Sequence, residues 1–80
     1  MKIYDYHGKK NICGDKIREA RIKRRMTQAE LAAKAQIEGL ALERDSISRI
    51  EIGTRFVSDF ELVVFSKILG VSLDRLTGRG

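Results

Sequence analysis

The side chains best suited to specific chemistry lie in one short segment, residues 43–51 (ERDSISRIE). Arg44 and Arg49 each carry a planar guanidinium, which stays charged and donates hydrogen bonds in a fixed fork. The apolar residues of the segment are Ile47 and Ile50, and their spacing puts both on one side of a helix. The segment is therefore predicted to be a helix that packs through a narrow apolar stripe and presents its arginines outward.

A helix of this kind is suited to the major groove of B-form DNA. The groove admits one α-helix, and an arginine inside it can donate two hydrogen bonds to O6 and N7 of a guanine. The formal net charge of +5 favours a polyanionic partner, because residues 16–25 (KIREARIKRR) hold six basic residues against one acidic residue and so carry all of it. An anionic membrane surface would attract the same cluster, and a basic run is also common on a solvated helix face.

The rest of the chain supplies helices to position this segment. Eighty residues allow one small domain with a modest core. The sequence has no proline, so helix ends are predicted from capping residues and glycines. A first helix begins at Gly14 and ends near Arg25. The second covers about residues 27–38, from the capping box TQAE to a stop before Gly39.

Three further helices follow. The third contains the arginine segment, is predicted at about residues 43–52, and is ended by Gly53. The fourth begins at a second capping box, residues 58–61 (SDFE), and is closed by Gly70. A short fifth helix follows Ser72.

Together these elements predict a compact, all-α domain of five helices at residues 14–80. Residues 1–13 are predicted to be an extended N-terminal arm or a short strand, which either wraps around DNA or is disordered in the free protein. The fourth helix is apolar on more than one side. Such a helix is either buried as the central helix or meets a partner, for example a second copy of the chain.

Four segments in order, REAR, MTQAELAAK, SISRIEIGTR and ILGVSLDRL, resemble the helix-turn-helix family of the phage repressor and Cro proteins and their bacterial relatives (XRE-like). The resemblance covers residues 14–77. It implies a lambda-repressor-like fold and a sequence-specific, double-stranded DNA-binding transcriptional regulator that acts as a repressor. It also implies that the third helix is the recognition helix.

The resemblance assigns roles to individual residues. The base-reading positions are Arg44, Asp45, Ser46 and Arg49. The phosphate contacts are Thr27, Gln28, Ser48, Thr54 and Arg55. Arg21 and Glu51 match a pair that forms a partly buried salt bridge in the family. For Asp45 two roles remain open besides a dipole effect: accepting a hydrogen bond from the cytosine amine, or orienting Arg49 one turn later.

The connection between the second and third helices is longer than the tight turn usual in the family. The chain from Ala32 to Ile47 holds several extra residues. Either the second helix runs an additional turn to Gly39, or the segment IEGLA forms a loop. The angle between the two helices is therefore open at this point.

Other classes of function find little support. Neither a catalytic arrangement of Ser, His, Asp or Cys nor a Gly-rich phosphate loop is present, so we expect no enzyme and no small-molecule substrate. Asp5, His7 and Cys13 do not have the number or spacing of a zinc site, so we expect no metal and no cofactor.

The single cysteine excludes an internal disulfide, and the sequence shows no secretory, membrane-spanning or lipidation signal. We therefore expect a cytoplasmic protein without a membrane partner. A homodimer through the fourth helix is one expected assembly. The alternative function is a protein-interaction module on the same fold, such as an antitoxin or a bridging factor, which would use the apolar surplus of that helix.

Overall fold

The structure, a computed structural model, describes residues 5–78 and confirms a compact all-α domain of five helices. The first four residues of the predicted arm and the last two residues of the chain lie outside the described residues. In the part described, no helix has both the length and the hydropathy needed to cross a bilayer. The helices are α1 (Gly14–Lys23), α2 (Gln28–Ile37), α3 (Arg44–Ile52), α4 (Asp59–Leu69) and α5 (Leu73–Leu76).

The two capping boxes predicted from the sequence are confirmed. At the start of α2, the Thr27 hydroxyl accepts from the N–H of Glu30 at 3.0 Å, and the Thr27 N–H donates to the Glu30 carboxylate at 2.8 Å. The same reciprocal pair joins Ser58 and Glu61 at the start of α4. Each box provides acceptors for two backbone N–H groups that would otherwise lack a partner, so it fixes where its helix begins.

Four helices end in the same way. In α2, α3 and α4 a glycine adopts a left-handed conformation after the helix, with φ of 95° at Gly39, 89° at Gly53 and 67° at Gly70. The next N–H then donates to the carbonyl five residues earlier, as in a Schellman motif. In α1 the left-handed residue is Arg25, with φ of 56°. The end predicted near Arg25 thus lies within two residues of the observed end at Lys23.

One hydrophobic core joins the helices. The side chains that are fully buried include Ile17 of α1, Leu31 of α2, Ile47 and Ile50 of α3, and Phe65 of α4. Helix α3 packs against both α1 and α2, which hold it from two sides. The arginine-bearing helix α3 is thus held in place by two neighbouring helices.

Helix α4 is not buried all round. Its buried residues, Glu61, Phe65 and Leu69, follow one another at intervals of four and so form one stripe. On another side Phe60 is 62% exposed and Val63 is 55% exposed. The apolar surplus predicted for this helix therefore lies partly on the surface.

The residues before α1 pack on the domain. Tyr6 and Lys9 exchange two backbone hydrogen bonds across a tight turn. The N–H of Lys10 donates to the carbonyl of Gly53 at 2.8 Å, and Cys13 is buried. The last part of the segment predicted as an arm thus belongs to the packed structure.

Candidate nucleic-acid interface

The outward face of α3 carries the charged residues predicted to read bases. Arg44, Asp45 and Arg49 are exposed, whereas Ile47 and Ile50 on the opposite side are fully buried. None of these three charged side chains forms a hydrogen bond or an ion pair with another residue within 5–78. Asp45 and Arg49 therefore form no ion pair in the structure that would orient the Arg49 side chain. All three side chains are available to a ligand.

The three hydroxyl residues predicted for this region lie closer to the helix backbone. Ser46 and Ser48 are half-buried, and the Ser46 hydroxyl lies 3.5 Å from the N–H of Glu43. Thr54 is exposed just after α3, and its hydroxyl donates to the carbonyl of Arg49 at 3.3 Å. These short side chains therefore border the charged face of α3 and leave it uncovered.

A buried ion pair holds the inner side of α3. Two hydrogen bonds join the Arg21 guanidinium to the Glu51 carboxylate, from Nε to Oε2 at 2.7 Å and from Nη2 to Oε1 at 3.0 Å. The side chains are only 12% and 4% exposed. The hydrogen bond to Glu51 raises the pKa of Arg21, against the opposing effect of burial. This is the pair implied by the family resemblance, and it connects α1 directly to α3.

The start of α2 is tied into the same pair. The Gln28 side chain donates to Glu51 Oε1 at 3.0 Å, and Arg21 Nη1 donates to the carbonyl of Met26 at 2.8 Å. Gln28 thus has a structural partner besides its predicted phosphate contact. The Glu30 N–H already donates to the Thr27 hydroxyl. This end of α2 therefore offers an anion the backbone N–H groups of Gln28 and Ala29, which have no carbonyl partner within the helix.

Thr27, the other predicted phosphate contact on α2, is exposed, although its hydroxyl already accepts from Glu30. The hydrogen bonds from the Thr27 N–H and hydroxyl lower the pKa of the Glu30 carboxyl. Glu30 therefore stays ionised and holds the cap in place around neutral pH.

Arg55 differs from the other predicted contacts because its side chain is already bound. Nη1 and Nη2 each donate to Glu61 at 3.1 Å, and Nη1 also donates to the carbonyl of Phe56 at 2.9 Å. Of its five N–H groups, this leaves the Nε donor and one on Nη2 for a phosphate. Burial acts to raise the pKa of Glu61, but the hydrogen bonds from Arg55 and the Ser58 N–H outweigh it and lower that pKa.

The long connection between α2 and α3 is anchored. Helix α2 ends at Ile37 with Gly39 as its left-handed terminating residue, and residues 38–43 connect it to α3. Leu42 in this connection is buried at 2% exposure, and its carbonyl accepts from the Gln36 side chain at 2.7 Å. The connection therefore fixes the start of α3 relative to α2.

Sequence reasoning missed the role of Asn11. Its Nδ2 donates to the carbonyl of Ile50 at 3.0 Å and to that of Arg55 at 2.8 Å, and its Oδ1 accepts from the N–H of Gly14 at 2.7 Å. An asparagine shortly before a helix is a recognisable local capping signal. The bonds to the carbonyls of Ile50 and Arg55, by contrast, join residues 39 and 44 positions apart, and no local sequence pattern predicts them.

No group of three or more His, Cys, Asp or Glu within residues 5–78 is placed to hold a metal ion. The lone thiol, Cys13, is buried, and that burial raises its pKa to about 11. A thiol in this state is a packing residue, because the thiolate is the reactive form.

The exposed cationic face of α3, beside the N-terminus of α2, is the geometry of a DNA-binding helix-turn-helix. Comparison with protein-family models gives a match to a helix-turn-helix family over residues 17–76. Comparison with curated proteins and with solved structures gives no match. The family match spans most of the chain, and the chain therefore belongs to the helix-turn-helix family of the phage repressor and Cro type, whose members are DNA-binding regulators.

Proposed function

We propose that this protein binds a specific double-stranded DNA site through α3 in the major groove and represses transcription by occupying it. The observation that carries the proposal is the outward face of α3. There the side chains of Arg44, Asp45 and Arg49 are exposed and make no hydrogen bond or ion pair within residues 5–78, while Ile47 and Ile50 on the opposite face are fully buried. Long charged side chains in this state are ready to meet base edges and phosphates.

The flanking residues complete the proposed surface. Ser46 and Ser48 lie on α3, Thr27 and Gln28 at the start of α2, and Thr54 and Arg55 after α3. In this arrangement Arg44, Asp45, Ser46 and Arg49 read bases. The phosphate contacts are Thr27, Gln28, Ser48, Thr54 and Arg55, with Gln28 and Arg55 acting from positions fixed by Glu51 and Glu61.

Selection of bound duplexes from a random pool, followed by titration at several salt concentrations, tests the proposal. We expect an enriched sequence, and an affinity that falls with salt at a logarithmic slope of about −0.9 for each phosphate contact. A random duplex of equal length is the control. Selection that enriches no sequence, or binding to neither duplex in dilute salt, would contradict the proposal.

The homodimer is proposed through α4. Phe60 and Val63 are three positions apart, lie on one face and are both more than half exposed. Burying two such faces against each other removes apolar surface from water. A two-fold dimer would place two recognition helices about 34–36 Å apart on a near-palindromic site.

Sedimentation of the unsubstituted chain, of Phe60→Ser and of Ile37→Ser tests the dimer. Ile37 is an apolar control on α2 with 83% exposure. We expect Phe60→Ser to shift the protein to monomer and Ile37→Ser to leave the dimer intact. A monomer that binds a single, asymmetric half-site would exclude this assembly, and failure of all DNA binding would favour a protein-interaction module instead.

A further inference from the structure

Three backbone segments meet at the side chain of Asn11. Its amide nitrogen donates to the carbonyl of Ile50, near the end of α3, and to that of Arg55, in the loop that follows. Its amide oxygen accepts from the N–H of Gly14, the first residue of α1. One uncharged side chain therefore joins the start of α1, the end of α3 and the loop after α3.

Two further contacts act at the same place. A Cβ on Gly14 would collide with the carbonyl oxygen of Ile50, so α1 and α3 approach here at a distance that only glycine permits. The N–H of Lys10 donates to the carbonyl of Gly53, where α3 ends. The segment before α1 is thus hydrogen-bonded to the backbone at the C-terminal end of α3 and of the loop that follows.

We propose that Asn11 is a positioning residue for DNA recognition, which sets the placement of α3 and of the loop Gly53–Arg55 against the duplex. The inference rests on the proposed function. It adds a residue outside the matched family region, 17–76, and one that touches no base or phosphate in the proposed complex. Its bonds go to backbone carbonyls, so they fix the end of α3 whatever side chains α3 carries.

The effect should appear in specificity more than in general affinity. Base reading needs hydrogen-bond geometry within a few tenths of an ångström and a narrow range of angles. Attraction to the phosphates depends on total charge and tolerates small shifts. Loosening the end of α3 therefore weakens binding to the preferred site and leaves binding to a random duplex largely unchanged.

The test compares Asn11→Asp and Asn11→Ala with Ser72→Ala. Aspartate keeps an oxygen for the Gly14 N–H but loses both donors, while alanine loses every side-chain hydrogen bond without adding charge. Ser72→Ala is the matched control, because it removes a helix-capping hydroxyl that accepts from Arg75 at the remote start of α5. Affinities for the selected duplex and for a random duplex are measured where urea titrations show each variant to be folded.

We expect both Asn11 variants to lose about two- to tenfold in the ratio of specific to random binding, the scale of one or two hydrogen bonds. Amide exchange at Gly53 and Thr54 should become faster in both. Ser72→Ala should keep the ratio while losing stability. An unchanged ratio, or equal losses on both duplexes, would overturn the positioning role. No DNA binding by the unsubstituted chain would overturn the proposed function itself, and the inference with it.

Discussion

The two sides of α3 differ in how their side chains are held. On the outer side the side chains of Arg44, Asp45 and Arg49 make no hydrogen bond among the described residues, whereas on the inner side Glu51 receives hydrogen bonds from both α1 and α2. The backbone at the end of the helix is held as well, through Asn11. Binding costs less when the partner surface is already rigid. Conformational freedom in α3 is therefore confined to the side chains that we propose contact DNA.

The largest expected effect is on stability, and it comes from removing the Arg21–Glu51 ion pair on the inner side of α3. Glu51→Ala leaves the Arg21 guanidinium, which is 12% exposed, without its carboxylate. Removing one partner of a buried pair costs about 3–5 kcal/mol. Because small domains have only about 5–15 kcal/mol of stability, the variant should unfold at a much lower urea concentration, which circular dichroism would show.

A double substitution separates the stranded charge from the lost volume. Arg21→Met combined with Glu51→Leu removes both charges and keeps apolar bulk. We expect it to be at least about 2 kcal/mol more stable than Glu51→Ala, since neither partner is left unpaired. If the double variant were as unstable as the single one, the inner side would depend on the ion pair itself.

Substitutions on the outer side of α3 should weaken DNA binding and leave the stability of the fold unchanged. Arg44→Ala and Arg49→Ala are each expected to cost about 1–3 kcal/mol on the selected duplex and to relax the preference at one base position. Their free energies of unfolding should stay within about 0.5 kcal/mol of the unsubstituted chain. Fluorescence titration and urea unfolding measure the two quantities.

Arg18→Ala is a control for the removal of a positive charge, because Arg18 is exposed on α1. It should change affinity by less and leave base preference intact. Equal losses on the selected and random duplexes for Arg44→Ala and Arg49→Ala would remove the base-reading assignment, although not the binding surface.

The difference between the two sides also explains what the sequence could predict. Local patterns specified the capping boxes at Thr27 and Ser58, the glycine stops, and the isoleucine stripe that turns α3 outward. These features depend on neighbours within about four residues, so spacing in the chain encodes them. The five-helix fold followed from them.

Contacts between residues that are not neighbours on one helix could not be predicted from local sequence patterns. Asn11 bonds to residues 39 and 44 positions away. The Arg55–Glu61 pair is closer in the chain, but its six-residue separation does not match the spacing of neighbours on one helix. The Arg21–Glu51 pair was foreseen only through the family resemblance. Arg25 carries no signal for a left-handed residue, since glycine is the usual choice there. Contacts of this kind depend on the assembled fold.

A smaller effect is expected from the pair that holds the loop after α3. The pKa of Glu61 lies below its ordinary value of 4.5, so its contribution to stability is present above about that pH and is lost as the pH falls through the lowered pKa. Glu61→Gln should therefore be less stable than the unsubstituted chain at pH 7. The difference should shrink between pH 5 and acid conditions of about pH 3.

Urea unfolding of both chains across this pH range gives the comparison. The Arg55 side chain is 29% exposed, so solvent screens the pair and the loss should be smaller than for Glu51→Ala. A difference in unfolding free energy that stays constant from pH 7 to acid would show that ionisation of Glu61 plays no part in stability.

The smallest expected effect is a gain, and it compares two helix ends. Arg25 holds a left-handed conformation with φ of 56° at the end of α1, where α2, α3 and α4 use glycine. This conformation costs a residue with a Cβ about 1–2 kcal/mol. Arg25→Gly should therefore raise the free energy of unfolding by about 0.5–1 kcal/mol, after the greater flexibility of glycine in the unfolded chain is counted.

Two substitutions isolate the backbone as the cause. Arg25→Ala removes the charge but keeps a Cβ, so it should not give the gain. Gly39→Ala makes the opposite change at the end of α2, where φ is 95° and no heavy atom lies within 4 Å of an added Cβ. Its expected loss of about 1 kcal/mol would come from the backbone conformation alone. If Arg25→Gly and Arg25→Ala were equally stable, the conformation of Arg25 would carry no strain and the two helix ends would be equivalent.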